Sequence, residues 1–333
     1  MFLKICFDEN RKFGFMTGSV VLATEQGLGY LAKAFYDNGI IDKVAIQRHS
    51  DRKNHYEWYP NHVSTDELLE TCDTLLFFET PFDWKIIPRA REKGIKIILM
   101  PMYECTRYPF PYEPDEIWCP SKLDYDFYVK NGQTNCKLVQ VPVDVKHVIR
   151  RKACTFVHNA GNGGLGGRNG TKELIEAMKH VKSPIKLIIR SQIPIKQSDD
   201  PRIEYRIGNF DDIWSEGDMF VFPEKFNGLS LPLQEAFASG MGIMCGARYP
   251  MTDWLPNEIM FPVKEYKKER IAVEFDSAVY DPKDIAAKID EWYGRDITRL
   301  SLLGKDFGKK NSWKALKETY EKLTSALSEE QGS

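Results

Sequence analysis

The 333-residue chain has no pair of cysteines spaced C-x-x-C; its seven cysteines, at positions 6, 72, 105, 119, 136, 154 and 245, stand singly. They read as reduced thiols, and no cluster of Asp, His and Cys in the sequence demands a catalytic metal. A surplus of either charge is also missing. With 46 Lys and Arg against 48 Asp and Glu, the formal net charge is -2. No global field therefore draws nucleic acid or anionic lipid, and such a partner needs a local basic patch. No apolar run approaches the roughly 18 residues of a membrane span, and the N-terminal MFLKICFDEN acquires acidic residues too early for a signal peptide. These absences lead to the expectation of a cytoplasmic protein. What is present is 42% apolar and 28% charged residues, a globular composition long enough for two domains, each with a core of its own.

The most informative stretch is residues 222–246, FPEKFNGLSLPLQEAFASGMGIMCG. It reads as the end of a strand, a loop, a capped helix and a second strand. Asn227-Gly228 can turn sharply, Ser230 precedes Leu231-Pro232 as an N-cap with proline in the first turn, and Gly240 stops the helix. A helix start of this kind leaves backbone N–H groups facing its loop, so Gly228, Leu229 and Ser230 are candidates to hold a hydroxyl-rich or anionic ligand. Glu235, early in the same helix, is expected to stay ionised near the positive helix end and to accept hydrogen bonds from a vicinal diol such as a ribose. The alternative for Glu235 is a surface residue that only compensates the helix dipole.

Upstream, a strand from Thr155 runs into His158-Asn159-Ala160-Gly161-Asn162-Gly163-Gly164-Leu165-Gly166-Gly167-Arg168-Asn169-Gly170, followed by a helical pattern from Thr171 to Met178. Strand, glycine loop and helix in that order suit a diphosphate held by backbone N–H groups, including those of Gly163 and Gly164, with Arg168 adding a bidentate charged contact. The plain alternative is an irregular loop. Further strands are expected at 186–189, 204–207 and 219–222, a turn at Gly208-Asn209, a helix opened by Asp281-Pro282 and a long amphipathic helix from Ser312-Trp313 to about Leu327.

The N-terminal half alternates in the same α/β manner, with strands expected at 3–7, 44–47, 74–78, 95–100 and 138–143, and Thr17-Gly18-Ser19 read as a loop. A helix spans Gly27 to Phe35 and is ended by Gly39; Gly27 and Gly29 at its start would let a ligand approach, or let the helix pack closely. Residues 43–59 interleave Lys43, Arg48, His49, Arg52, Lys53 and His55 with Tyr56, Trp58 and Tyr59. That mixture suits a phosphate-rich acceptor, or is a solvated loop with ordinary packing aromatics. Glu104 lies in the loop after the strand at 95–100, at the carboxyl end where open α/β sheets bind ligands, and is a candidate to meet an acceptor.

The segment LPLQEAFASG resembles the E-x7-E region of family 4 retaining glycosyltransferases, whose usual form is roughly EGFGLPxLEAxAxG. On that alignment Glu235 falls on the second family glutamate, which holds the nucleotide ribose, and Asn227 stands where the first contacts the transferred sugar. The glycine loop is similar to the family's phosphate loop, with Asn169 at the usual lysine; Arg168, Lys172 and the strand-end Arg190 are the replacements for its charge, Arg168 and Arg190 preferred. Gly208 falls at the turn that cradles the base, and Asp115 to Ser121 resembles the strand and Pro-Ser turn late in the family's N-terminal domain. The resemblance implies an α/β fold of two facing Rossmann-like domains (GT-B): an acceptor domain over 1–145, a donor domain over 146–310 and a helix at 311–333 crossing back to the first. It implies retaining transfer of a sugar from a nucleotide-diphosphate sugar, with Arg168, Arg190, Asn227 and Glu104 as the catalytic candidates and with no metal or other cofactor required. The acceptor hydroxyl would belong to a glycan, a lipid-linked sugar or, as in phage-type enzymes, a hydroxymethylated DNA base. The rivals are a non-catalytic nucleotide-sugar-binding protein and an epimerase or phosphorylase on the same fold.

Overall fold

The computed structural model describes residues 13–18, 28–38, 40–41, 43–47, 62–81, 83–162, 167–208, 210 and 212–329. The chain divides into two compact units: the first holds the residues up to Val141, Arg270–Glu274 and the chain from Lys317 onward, and the second holds Pro142–Glu269 and Phe275–Leu316.

In the first unit the chain runs β1 (Phe13–Gly18), α1 (Leu28–Asp37), β2 (Lys43–Gln47), α2 (Thr65–Thr71), β3 (Thr74–Glu79), α3 (Ile86–Arg91), β4 (Lys96–Pro101), β5 (Glu116–Cys119), α4 (Lys122–Lys130) and β6 (Cys136–Leu138). The strands form one parallel sheet in the order β2-β1-β3-β4-β5-β6. Strands covered on both faces need continuous apolar runs, and TLLFFE and KIILMP supply them: Leu75, Leu76, Phe77, Phe78, Ile97, Ile98, Leu99 and Met100 are all buried. Helix α4 starts on a capping arrangement in which Ser121 Oγ accepts from the Asp124 amide at 3.2 Å and donates to the Asp124 carboxylate.

After the first unit's sheet the chain runs β7 (Thr155–Gly161), α5 (Thr171–Met178), β8 (Lys186–Ser191), β9 (Ile203–Ile207), β10 (Met219–Phe222), α6 (Leu231–Ala238), β11 (Gly242–Cys245), α7 (Met251–Trp254), the hairpin β12 (Glu265–Arg270) and β13 (Glu274–Val279), α8 (Pro282–Trp292), α9 (Thr298–Lys310) and α10 (Trp313–Glu329), all in the second unit except the hairpin's turn, Arg270–Glu274, and α10 from Lys317 onward. The second unit's main sheet has the order β11-β10-β7-β8-β9, again with every neighbour parallel. As the sequence suggests, Asp281 caps α8 by accepting from the Lys283 amide at 2.9 Å, with Pro282 in the first turn. The last helix returns to the first unit, where the buried Tyr320 sets its ring edge-on to Phe35, 4.9 Å between centroids, and donates its hydroxyl to the Gln140 carbonyl.

Two expectations change. Thr17 and Gly18 belong to β1, paired with Ile46 and Gln47 of β2, while the strand expected at 3–7 lies outside the described residues. The strand expected at 138–143 ends at Leu138, because Pro142 has no N–H to give a ladder and the Val143 amide donates instead to the Asn311 carbonyl. Helix α9 was not legible, since Gly304 and Gly308 argue against a helix on propensity. Their use is close packing on α6: a Cβ at Gly304 would stand 1.9 Å from the Phe237 carbonyl oxygen, and one at Gly308 3.1 Å from Ala238 Cβ. Gly304→Ala should therefore destabilise the protein by about 1 to 3 kcal/mol, through the shift forced on α9. An unchanged urea midpoint in that variant would show that the two helices do not need this approach.

Candidate functional site

Strand order locates the site. In the second sheet β8 and β9 extend from one side of β7 and β10 and β11 from the other, so β7 and β10 flank a topological switch point. Loops leaving the carboxyl ends of two such strands diverge to opposite faces and leave a crevice between them, which is where open α/β sheets take ligands. The two loops are the glycine loop after β7 and the 223–230 loop after β10, the pair singled out in the sequence.

They are locked together. Gly170 takes φ +70°, and a Cβ on it would lie 2.1 Å from the Pro223 carbonyl oxygen, so only glycine permits this approach. The Lys225 amide donates to the Arg168 carbonyl at 2.8 Å, and Lys225 Nζ pairs with Glu173 at 2.9 Å. Beneath them the fully buried His158 joins Val221 to Thr171, at 2.9 and 2.7 Å. Because the Val221 carbonyl can only accept, Nδ1 carries the proton and Nε2 accepts from the Thr171 hydroxyl. Burial pushes the imidazole down to about 4, so it is neutral and structural.

The 223–230 loop is organised around a buried ion pair. Glu224 and Arg248, 2% and 4% exposed, meet at 2.7 Å. Arg248 also donates to the carbonyls of Glu224 and Asn227, and the Tyr280 hydroxyl to that of Glu224. Asn227 is the bridge from this pair to α6: its amide nitrogen donates to Glu224 Oε1 at 3.0 Å, and its Oδ1 accepts from the Leu229 and Ser230 amides, each at 3.0 Å. The capping expected of Ser230 is not made; Asn227 Oδ1 instead turns the loop ahead of α6, at the Leu229 and Ser230 amides that precede its first turn. Ser230 occupies the N-cap position in a left-handed conformation, φ 43° and ψ 62°, makes no cap bond, and keeps a fully buried Oγ with no hydrogen-bond partner. Strain and an unsatisfied hydroxyl at one residue each cost free energy, and such residues concentrate at ligand sites. The Leu229 and Ser230 amides, expected to face a ligand, are engaged by Asn227.

Glu235 departs from the expectation that it stays ionised. Desolvation on α6 pushes its carboxyl up to about 7, against the opposing effect of a hydrogen bond from the Trp214 side chain. Because the folded state holds this proton more tightly than the unfolded chain, the contribution to stability is full in acid and is lost as pH rises through about 7.

The Trp214 loop is held by arginines that the sequence reading either placed elsewhere or missed. Arg190, expected at the diphosphate, is 4% exposed and donates to the Ile213 carbonyl at 2.7 Å and towards Glu216 at 3.4 Å. Arg150, to which the sequence reading gave no role, is buried and donates to the carbonyls of Trp214, Ser215 and Gly217 at 2.7, 3.1 and 2.9 Å. Arg206 pairs with Glu216 and Glu204. A strand-end or junction arginine gives no local signal of such carbonyl partners, which lie more than twenty residues away in sequence.

The remaining candidates are dispersed. Arg168 is half-buried at the end of the glycine loop; Gly163 and Gly164 lie outside the described residues. Asn169, at the family's lysine position, donates to the Ala160 carbonyl at 2.9 Å and so closes the loop. Gly208 follows β9 at φ +142°, its amide on the Ser191 carbonyl, and Gly228 is buried inside the Asn227 turn. Gly29 sits in the first turn of α1, and Gly27 lies outside the described residues, as does most of the 43–59 segment. Glu104 is corrected from an acceptor-facing loop residue to a buried one, 1% exposed, beside Asp124. Burial first, and then the charge of Glu104, push the Asp124 carboxyl up to about 7. Among the described residues no group of three or more His, Cys, Asp or Glu could hold a metal ion, and no helix is long and apolar enough to cross a membrane.

No protein-family model matches the sequence, and no curated protein matches it. Solved structures do match. The chain is similar to the sucrose-phosphate synthase from Thermosynechococcus elongatus with a TM-score of 0.64 at 12% identity, covering 95% of this chain and 100% of that one. TarM aligns at 0.55 and 10% identity over 78% of this chain, and the pneumococcal O-GlcNAc transferase GtfA, solved with UDP and GlcNAc, at 0.53 and 12% over 76%. This chain spans 57% and 56% of the length of those two. At such identities the likeness is one of fold, the GT-B fold of two Rossmann-like domains.

The loop geometry generates a test. Asn227→Asp would keep the acceptor for two amides but lose the donor to Glu224 and bring a second carboxylate beside it. A loss of about 1 to 3 kcal/mol is expected at neutral pH, shrinking as pH falls and one of the two carboxyls takes a proton. Equal stability of the variant and the wild type across that range, in urea melts, would remove Asn227 from the loop's support.

Proposed function

We propose that the protein is a cytosolic glycosyltransferase that moves a sugar, with retention, from a nucleotide-diphosphate sugar to an acceptor hydroxyl. The observation that carries this reading is the switch-point crevice, where the glycine loop and the start of α6 are locked together by Gly170 against Pro223. Support comes from the fold, which is similar to that of GtfA, a transferase solved with UDP and GlcNAc. In this reading the Glu235 carboxylate accepts hydrogen bonds from the ribose hydroxyls. Arg168 and the amides of the glycine loop hold the diphosphate.

The chemistry asked of these groups is electrostatic. As the bond from the anomeric carbon to the diphosphate oxygen breaks, the electron pair leaves with the diphosphate. Arg168 stabilises that charge while the acceptor hydroxyl attacks the anomeric carbon on the same face and passes its proton to the departing diphosphate oxygen. No metal is required in this scheme, so activity should be insensitive to EDTA. The acceptor belongs to one of three classes: a glycan, a lipid-linked sugar or a modified DNA base.

A second reading, a nucleotide-sugar binder without turnover, is favoured by Asn227. Its amide is neutral and is engaged by Glu224 and the backbone, where the resembling family has a carboxylate at the sugar. Turnover of a donor panel separates the two. For both readings, Glu235→Ala should abolish the thermal stabilisation given by the preferred nucleotide, since charged hydrogen bonds of this kind contribute roughly 1.5 to 3 kcal/mol. A thermal-shift screen in which the variant responds like wild type would remove Glu235 from the nucleotide site.

A further inference from the structure

A chain with a net charge of -2 draws an anionic partner only through a local basic patch, and the second unit builds one where α9 meets the segment 146–152. The two run side by side. Lys152 forms an antiparallel bridge with Asp296, the Ile297 amide donates to the Arg151 carbonyl at 2.9 Å, and the Arg150 amide donates to Ser301 Oγ at 2.9 Å. His147 Nε2 donates to the Ser301 carbonyl at 3.0 Å. These bonds bring Ile149 and Leu302, the neighbours in sequence of Arg150 and Ser301, to one part of the surface.

Packing decides which side of α9 faces out. Gly304 lies on the Phe237 carbonyl of α6, and Leu300 and Ser301 are buried, so Leu302, Leu303, Lys305, Lys309 and Lys310 are left exposed. The outer side of a surface helix is ordinarily polar. Here Leu302 and Leu303, together with Val148 and Ile149 of the adjoining segment, are 37 to 44% exposed. Single exposed aliphatic side chains are ordinary, but four on two hydrogen-bonded segments make a patch. The same two segments expose Lys146, Arg151, Lys152, Lys305, Lys309 and Lys310, and none of these six makes an ion pair among the described residues. Arg299 is paired with Glu258. Within residues 146–152 and 296–310 the carboxylates are Asp296 and Asp306, and Asp296 already accepts from the Thr298 amide at 2.7 Å.

We propose that this face docks the protein on a membrane surface rich in anionic lipid, with Val148, Ile149, Leu302 and Leu303 entering among the headgroups while the surrounding lysines and Arg151 meet lipid phosphates. Charge complementarity selects the occupant: the cations are gathered on one face of a chain whose net charge has the opposite sign. A second copy related by a two-fold axis would set this face against itself, like charge on like. Nucleic acid would use the cations but not the centre of the patch, because aliphatic side chains offer no ring for bases to stack on. The headgroup boundary uses both, and apolar contact combined with basic residues is the pairing of signals that gives firm yet reversible attachment. No residue of the crevice takes part, so the proposal is independent of the nucleotide reading. Only its consequence, that the acceptor is a lipid-linked sugar met at that surface, rests on the glycosyltransferase reading.

The test is sedimentation with vesicles of phosphatidylcholine alone and of phosphatidylcholine mixed equally with phosphatidylglycerol. Wild type should pellet with the mixed vesicles in about 0.1 M salt, be released at about 1 M, and stay in solution with phosphatidylcholine alone. The triple variant Lys305→Gln/Lys309→Gln/Lys310→Gln should bind about a hundredfold more weakly. The double variant Ile149→Ser/Leu302→Ser should lose about tenfold. A control, Lys85→Gln/Lys130→Gln/Lys283→Gln, changes the net charge equally at exposed positions elsewhere and should bind like wild type. The proposal is overturned if wild type ignores the mixed vesicles, if it binds both kinds alike, if the control loses as much as the α9 triple, or if the double variant binds undiminished. A wild-type dimer that comes apart in the double variant, seen by light scattering without lipid, means that a second copy covers the face and overturns the proposal equally. Should the double variant not fold, Leu302→Ser alone takes its place, with undiminished binding as the overturning result.

Discussion

The buried pair of Glu224 and Arg248 is the interaction on which the second unit's crevice depends. Two desolvated charges are tolerable only when their remaining hydrogen-bonding capacity is met, and here it is met by the loop itself. Arg248 gathers the carbonyls of Glu224 and Asn227, and Glu224 takes the Asn227 amide. The chain from Glu224 to Ser230 is thereby wrapped on a fixed centre, and its last residue enters α6 from a left-handed conformation. Removing either charge would leave the other buried and unpaired, so the loop, the helix start and the position of Glu235 on that helix stand or fall together.

A second constraint works through arginine on the other side of α6. Arg150 and Arg190 are nearly inaccessible, and most of their hydrogen bonds go to main-chain carbonyls, not to carboxylates. A guanidinium has several donors in a planar fork and keeps its charge, so it can tie together segments that have no regular ladder. The 212–217 loop is such a segment, and its order is imposed from beneath.

Much of the architecture was legible because it depends on local rules. Runs such as TLLFFE and MFVF, short, apolar and rich in aromatic or branched side chains, read as strands covered on both faces, and Ser-Leu-Pro followed by Gly240 brackets α6. The site was legible as a place, since strand, glycine loop and helix are consecutive in sequence. It was not legible as a set of contacts. The role of Asn227 depends on Arg248, which is 21 residues on and joined to its carbonyl; the roles of Arg190 and Arg150 depend on a loop more than twenty residues from each. Alternation along β8 says that Arg190 leaves the strand end, but nothing local says whether carbonyls or a ligand await it. Glu104 shows the same limit: its strand-end position made it a candidate to meet an acceptor, and nothing local told that it is buried beside Asp124 of α4.

The two sheets share one further feature that bears on where ligands bind. Among the described residues only Glu79 and Ser230 are non-glycine residues at positive φ, 60° and 43°. Glu79 ends β3, which with β1 flanks the switch point of the first sheet, and Ser230 closes the loop from β10, which with β7 flanks that of the second. Each is held by surrounding bonds: the Glu79 carbonyl accepts from the Met102 amide and the Thr106 hydroxyl, and the Ser230 amide donates to Asn227. Left-handed backbone at a residue with a Cβ is unfavourable, and it persists only where neighbours over-determine it. That both instances fall beside switch points, where topology alone opens a crevice, ties strain to the same edges of the two sheets. The strain at Ser230, together with its unsatisfied hydroxyl, makes the start of α6 a place where the unit carries a local cost in free energy, held there by the bonds around Asn227.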